Sequence, residues 1–140
     1  MKRIFVLVFS VLLAFTPSKP TAETVLSKDV DSFLAAANRE LAKKSYASFL
    51  TLMNVQPSQR AAVEATASLL KSHFGSGAGP RLSVLFRRDS GDEGVQLVAV
   101  IWREDKYLYV SITGHVRPDG FAVVHFGLEG NYSALTEKYL

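Results

Sequence analysis

Residues 95–113 read VQLVAVIWREDKYLYVSIT, two runs of β-branched and aromatic residues on either side of the polar pair Glu104-Asp105. A two-residue turn there sets Arg103 against Lys106, Trp102 against Tyr107, Val100 against Tyr109 and Val98 against Ser111. The faces then differ in chemistry. One carries Val95, Leu97, Ala99, Ile101, Leu108, Val110 and Ile112, all aliphatic, as a face packed on a core requires. The other carries Gln96, Val98, Val100, Trp102, Tyr107, Tyr109, Ser111 and Thr113, a mixture of aromatic, aliphatic and polar groups suited to contact with water, a ligand or another surface. A slip of one residue would exchange the two sets.

Working outward, Arg81–Arg88 alternates Leu82, Val84 and Phe86 with Arg81, Ser83, Leu85 and Arg87, and reads as a strand joined to the hairpin through DSGDEG at residues 89–94. On the other side, residues 114–120 hold the turn signal Pro118-Asp119-Gly120 and lead to a strand over residues 121–128. Pairing Thr113 with Phe121 puts Ala122, Val124, Phe126 and Leu128 on the aliphatic face. It puts Phe121, Val123 and His125 on the mixed one, with His125 opposite Tyr109.

Between residues 28 and 75 the chain reads as helix. Lys28–Lys44 has Val30, Phe33, Leu34, Ala37 and Leu41 at helical spacing, with acidic residues at its start and Lys43-Lys44 at its end. Ser45, a good N-cap, begins a second piece carrying Tyr46, Phe49, Leu50 and Met53, which ends near Pro57. A third helix over Ser58–Phe74 shows the stripe Ala62, Thr66, Leu69, Leu70, His73 and Phe74, with Gly75 as its stop. SGAGP, residues 76–80, is a connector, and residues 131–140 form a short terminal helix with Tyr132, Leu135 and Tyr139. The sum is an α+β domain: N-terminal helices covering the aliphatic face of a four-stranded antiparallel meander.

This order resembles the NTF2-like, cystatin-like superfamily of small exported domains. The resemblance rests on LAKKSYASFLTLMN, residues 41–54, which looks like the helix, polar break and second helix that open such domains, and on the meander that follows. It implies a sheet lined by helices, a cone-shaped pocket and dimerisation through sheets. It also implies that some members are enzymes with an acid-base pair in the pocket while many only bind. No Asp-His pair at the family's spacing occurs here, so no catalytic residue carries over.

Residues 1–22 have the layout of a secretory signal peptide: Lys2-Arg3, an apolar run from Ile4 to Phe15, then small residues up to Ala22. The run is shorter than the roughly 20 residues of a membrane span, and an uncleaved anchor is the alternative. Residues 23–140 then form a single domain that is periplasmic or secreted. The sixteen basic residues fall to thirteen when Lys2, Arg3 and Lys19 leave, matching the thirteen acidic ones. The basic balance therefore gives no ground for nucleic-acid binding, and after cleavage no membrane partner is expected. Cysteine is absent, which removes disulfides, thiol chemistry, cysteine metal ligands and a lipid-modified N-terminal cysteine.

Chemical motifs are sparse. His73, His115 and His125 are not spaced as metal ligands, no G-x-S-x-G occurs, and Ser76 lies in a glycine-rich stretch without the lysine of a phosphate loop. Asp89, Asp92 and Glu93 lack the order of an EF-hand, and Asn131-Tyr132-Ser133 is a glycosylation sequon relevant only in a eukaryotic source. No cofactor, metal or catalytic residue is assigned. The feature that stands out is the mixed face, Arg81, Arg87, Trp102, Tyr107, Tyr109, Phe121 and His125, since arginine and aromatic residues are enriched where surfaces bind partners. The expectation is a non-enzymatic exported binding or assembly module that uses this face for a homodimer or an envelope protein partner. The alternatives are a small-molecule pocket between helices and sheet, and a weak hydrolase or isomerase using His125 with Tyr109.

Overall fold

A computed structural model describes residues 25–54, 57–91 and 94–139. The expected leader, residues 1–22, and Asp92 and Glu93 of the acidic loop lie outside the described residues. The chain forms α1 (Val30–Ala42), α2 (Tyr46–Leu52), a single 3-10 turn (Pro57–Gln59) and α3 (Arg60–Phe74). Four strands follow, β1 (Arg81–Ser90), β2 (Gly94–Arg103), β3 (Lys106–Arg117) and β4 (Gly120–Glu129), and then α4 (Tyr132–Tyr139). The strands pair antiparallel in the order β1-β2-β3-β4, an α+β meander.

Each helix boundary has a local cause. Asp29 caps α1, its Oδ1 accepting the Ser32 backbone N–H at 2.7 Å, and that bond holds the Asp29 carboxyl below the usual carboxylate range. The break after α1 is made by Lys44 rather than by capping at Ser45, whose side chain makes no cap hydrogen bond. Lys44 turns into the left-handed region (φ 57°), its N–H donates to Leu41 O at 2.9 Å and the Ser45 N–H to Glu40 O at 2.9 Å, the paired bonds of a Schellman stop. Gly75, at φ 66°, stops α3 as expected. The buried stripe of α3 is turned from the expected one: Leu70 and Phe74 are buried and Val63 and Ala67 pack on the core, whereas Leu69 and His73 are exposed. The reason is position. α3 packs chiefly on α2 and not on the sheet, so it needs only a narrow apolar seam.

The core joins Phe33, Ala37 and Leu41 of α1, Phe49 and Leu50 of α2, and Leu97, Ala99, Ile101, Val110 and Ile112 of the central strands. Burial of each large side chain here contributes about 1.5–3 kcal/mol. α1 crosses the sheet diagonally. Its first turns lie over β4, where the Phe33 and Phe121 rings stand 5.3 Å apart, and Asn38 near its end holds both backbone groups of Leu82 in β1.

The β2–β3 register is the expected one, Arg103 against Lys106 through Gln96 against Thr113, with Glu104 at φ 55° as a tight hairpin turn demands. The outer strands differ from expectation because each pairing contains a bulge. In β1 the register shifts at Leu85, so that Phe86 lies against Val98 and Arg87 against Leu97. β3 does not end at Thr113 but continues to Arg117, which pairs with Gly120 around Pro118-Asp119. Thr113 therefore faces His125, and Val124 is the extra residue between His125 and Val123.

Candidate binding face on the sheet

The face turned away from α1–α3 is built in rows that run across the strands. Arg81, Trp102 and Tyr107 form the first; Ser83, Val100, Tyr109 and Glu129 the second; Phe86, Val98, Ser111 and Gly127 the third; Arg88, Gln96, Thr113 and His125 the fourth. Four of the seven residues expected on this face stand there within two rows of one another or less: Arg81, Trp102, Tyr107 and Tyr109. His125 is on the face but at its other end.

Two expected members are not on the face. Phe121 is 1% exposed and packs on Phe33 in the core, because the bulge at Val124 reverses the side to which β4 residues before it point. Arg87 sits opposite Leu97 at the edge of the helix-facing side, paired with Asp89 at 3.1 Å, because the bulge at Leu85 shifts β1 by one residue. The same shift brings in Phe86 and Arg88, with the Arg88 guanidinium 5.7 Å from the centre of the Phe86 ring. Strand alternation gave no sign of this pair. Val124, expected on the aliphatic face, is instead the bulge residue and is exposed.

The continuation of β3 to Arg117 and the bulge together separate the two groups expected to act together. His125 lies opposite Thr113, and Tyr109 opposite Glu129. Four residues along a strand correspond to about 13 Å, beyond direct proton transfer. Tyr109 instead meets Tyr132 of α4, with ring centroids 5.4 Å apart at 53°.

The aromatic end of the face is braced. Trp102 Nε1 donates to Ser83 Oγ at 2.8 Å, which fixes the indole along the sheet. Tyr107 beside it is 49% exposed. Val98, Val100, Ser111 and Ala122 are also buried, yet belong to no part of the core cluster between helices and sheet. The face thus has a close-packed floor below its exposed aromatic end.

A second polar region lies at the tip of the β2–β3 hairpin, on the helix side. Arg103 donates through Nη2 to Phe74 O and through Nη1 to Ala78 O, tying the end of α3 and the connector to the hairpin. Its Nε and the hydroxyl of Tyr46 are buried without a hydrogen-bond partner among the described residues. Burial pushes the Tyr46 phenol above its usual range, with the Arg103 charge opposing. Partial burial lowers the pKa of His73, the Lys106 charge acts in the same direction, and a bond to the Tyr107 backbone opposes them. Among the described residues no three histidine, aspartate or glutamate side chains gather as a metal site.

No protein-family model, no curated protein and no solved structure matches this chain.

Proposed function

We propose that the protein is an exported binding or assembly module of NTF2-like, cystatin-like type that contacts a protein partner, a second copy included, through the mixed sheet face. The observation that carries this reading is the braced Arg81–Trp102–Tyr107 row, an arginine and two aromatic side chains in line with the indole fixed by Ser83. Residues of these types, held in place before binding, lose little side-chain entropy on contact. The interior supports the same reading over a pocket between helices and sheet, since Phe33, Phe49, Phe74, Leu97, Ile101 and Ile112 fill that space. Separation of His125 from Tyr109 removes the acid-base pair on which the hydrolase or isomerase alternative rested. The layout of residues 1–22 supports export.

Trp102 is the only tryptophan in the chain and lies on the face, so it reports on the face's own solvation. Light scattering over a concentration series, recorded together with tryptophan emission, tests self-association there. The expected result is a rise in mass accompanied by a blue shift, with Tyr109→Arg abolishing the shift and lowering the mass while circular dichroism shows the fold retained. A rise in mass with constant emission, or one that Tyr109→Arg leaves unchanged, would place association elsewhere and overturn self-association through this face.

A further inference from the structure

The two edges of the sheet are treated differently by the rest of the chain. At β4 the edge is occupied. Ser27 exchanges two backbone hydrogen bonds with Phe121, at 3.0 and 2.7 Å, and the Asn54 side chain donates to Val123 O at 3.1 Å. At β1 the occupation stops after one residue: Asn38 accepts from Leu82 N–H at 2.8 Å and donates to Leu82 O at 3.1 Å. These bonds show that the backbone groups of Leu82 point away from β2. By alternation those of Val84 do as well, and beyond the bulge those of Arg87 and Asp89. Among the described residues no backbone group pairs with this outer edge.

The same stretch is apolar where it is open. Val84, Leu85 and Phe86 are consecutive and 40%, 50% and 36% exposed, and every residue from Val84 to Ser90 is exposed. A row of unpaired N–H and C=O groups beside apolar side chains is chemically complementary to another extended strand. We infer that the β1 edge, around Leu85, pairs antiparallel with β1 of a second copy of this chain, joining two four-stranded sheets into one of eight strands.

The outward groups of Leu82, Val84, Arg87 and Asp89 are spaced two, three and two residues apart by the bulge, a pattern matched by β1 of a second copy running antiparallel, and the charges agree with that direction. The strand carries Arg81 at its start and Arg87, Arg88 and Asp89 near its end. Parallel pairing in register would set the arginine pair against its own copy. Antiparallel pairing about the Leu85–Phe86 midpoint sets Val84 of each strand across from Arg87 of the other, so that their outward backbone groups meet, and Arg88 across from Ser83. No like charges then stand directly opposite, and Leu85 of each strand lies across from Phe86 of the other beside the axis. This surface is separate from the Trp102–Tyr107 row and does not depend on the function proposed for that row.

The absence of native cysteine makes the test direct. Leu85→Cys places a single thiol beside the two-fold axis, on an exposed bulge residue, and Tyr107→Cys places one on an exposed position of the mixed face. Under mild oxidation the Leu85→Cys protein is expected to cross-link to dimer at least about tenfold faster than the Tyr107→Cys protein at equal concentration. By light scattering the wild-type mass should at least double with concentration. Leu85→Lys should raise the midpoint concentration about tenfold or more while leaving the circular dichroism unchanged. Equal cross-linking rates, a wild-type protein that stays monomeric at every concentration, or a dimer indifferent to Leu85→Lys would each overturn the inference. A dimer indifferent to Leu85→Lys but lost with Tyr109→Arg would sustain the mixed-face reading alone. The converse would sustain the edge alone.

Discussion

Asn54 is the residue whose replacement tests the architecture most sharply. It is 7% exposed, stands in the left-handed region at φ 56°, and ends α2. Its Oδ1 accepts from Val25 N–H at 2.6 Å, and its Nδ2 donates to Val25 O and Val123 O at 3.1 Å each. One amide thereby ties the segment leading into α1 to the end of α2 and the edge of β4. Asn54→Ala leaves the buried Val123 carbonyl without this donor, a loss of about 2 kcal/mol. The half-buried Val25 groups can turn to water, so their loss adds about 1 kcal/mol, and alanine tolerates the positive φ less well than asparagine by about 1 kcal/mol. The total is about 4 kcal/mol, a fall of roughly 15 °C in Tm for a domain of this size. Urea denaturation and calorimetry of wild type, Asn54→Ala and Asn54→Gly measure it. Glycine loses the same bonds without the backbone strain, so it should be about 1 kcal/mol more stable than alanine. A loss below 1 kcal/mol for Asn54→Ala, or a glycine variant weaker than the alanine one, would refute this account of the amide.

Three further outcomes follow from the packing and from the hairpin tip. Gly114→Ala should cost about 2–3 kcal/mol by urea denaturation, since a Cβ there would run into the Phe121 ring and come within 2.8 Å of Ala122 O. Tyr46→Phe should raise stability by about 1 kcal/mol, because it removes a hydroxyl buried without a partner; a loss of more than 1 kcal/mol would mean that the hydroxyl is bonded after all. His73 has a folded pKa below the ordinary value of about 6.5, so the unfolded chain holds the proton more tightly. Its contribution to stability is full above that value and is lost as pH falls through the folded pKa. His73→Gln should therefore flatten the dependence of stability on pH between about 7.5 and 5, and an unchanged slope would count against this origin.

The parts of the fold that sequence periodicity could reach are those in which one residue follows another without interruption. The β2–β3 pairing from Gln96 to Lys106 obeys strict alternation on both strands, so its register and faces were legible from the aliphatic set alone. α1 was legible because Val30, Phe33, Ala37 and Leu41 are buried at helical spacing against a sheet that needs them. Leu85 and Val124 were not, since a bulge adds one residue without a compositional mark in either strand. Each insertion reverses the sense of alternation across it. Arg87 and Phe121 were misplaced for that reason, and the supposed His125–Tyr109 pair chiefly because β3 runs on past Thr113 to a turn at Pro118-Asp119. The stop at Lys44 was located but given the wrong cause, because lysine is an uncommon choice for a left-handed residue and serine beside it a common cap.

The bulges also account for how the sheet presents itself to partners. At β4 the extra residue turns Phe121 and Val123 toward the helices, where Phe121 meets Phe33, and their outward backbone groups are met by Ser27 and Asn54. The irregularity there is absorbed by the chain itself. At β1 the extra residue lies past the last contact from α1, the Asn38–Leu82 bonds, so the shifted strand emerges beyond the helices with Val84, Leu85 and Phe86 in solvent. A bulge and two arginines are among the devices by which edge strands resist indiscriminate pairing. Here the bulge bends the strand and the arginines forbid parallel self-pairing, yet neither covers the apolar run. What they leave permitted is an antiparallel arrangement about the Leu85–Phe86 midpoint, so features that guard an edge against aggregation also narrow the geometry of a specific contact.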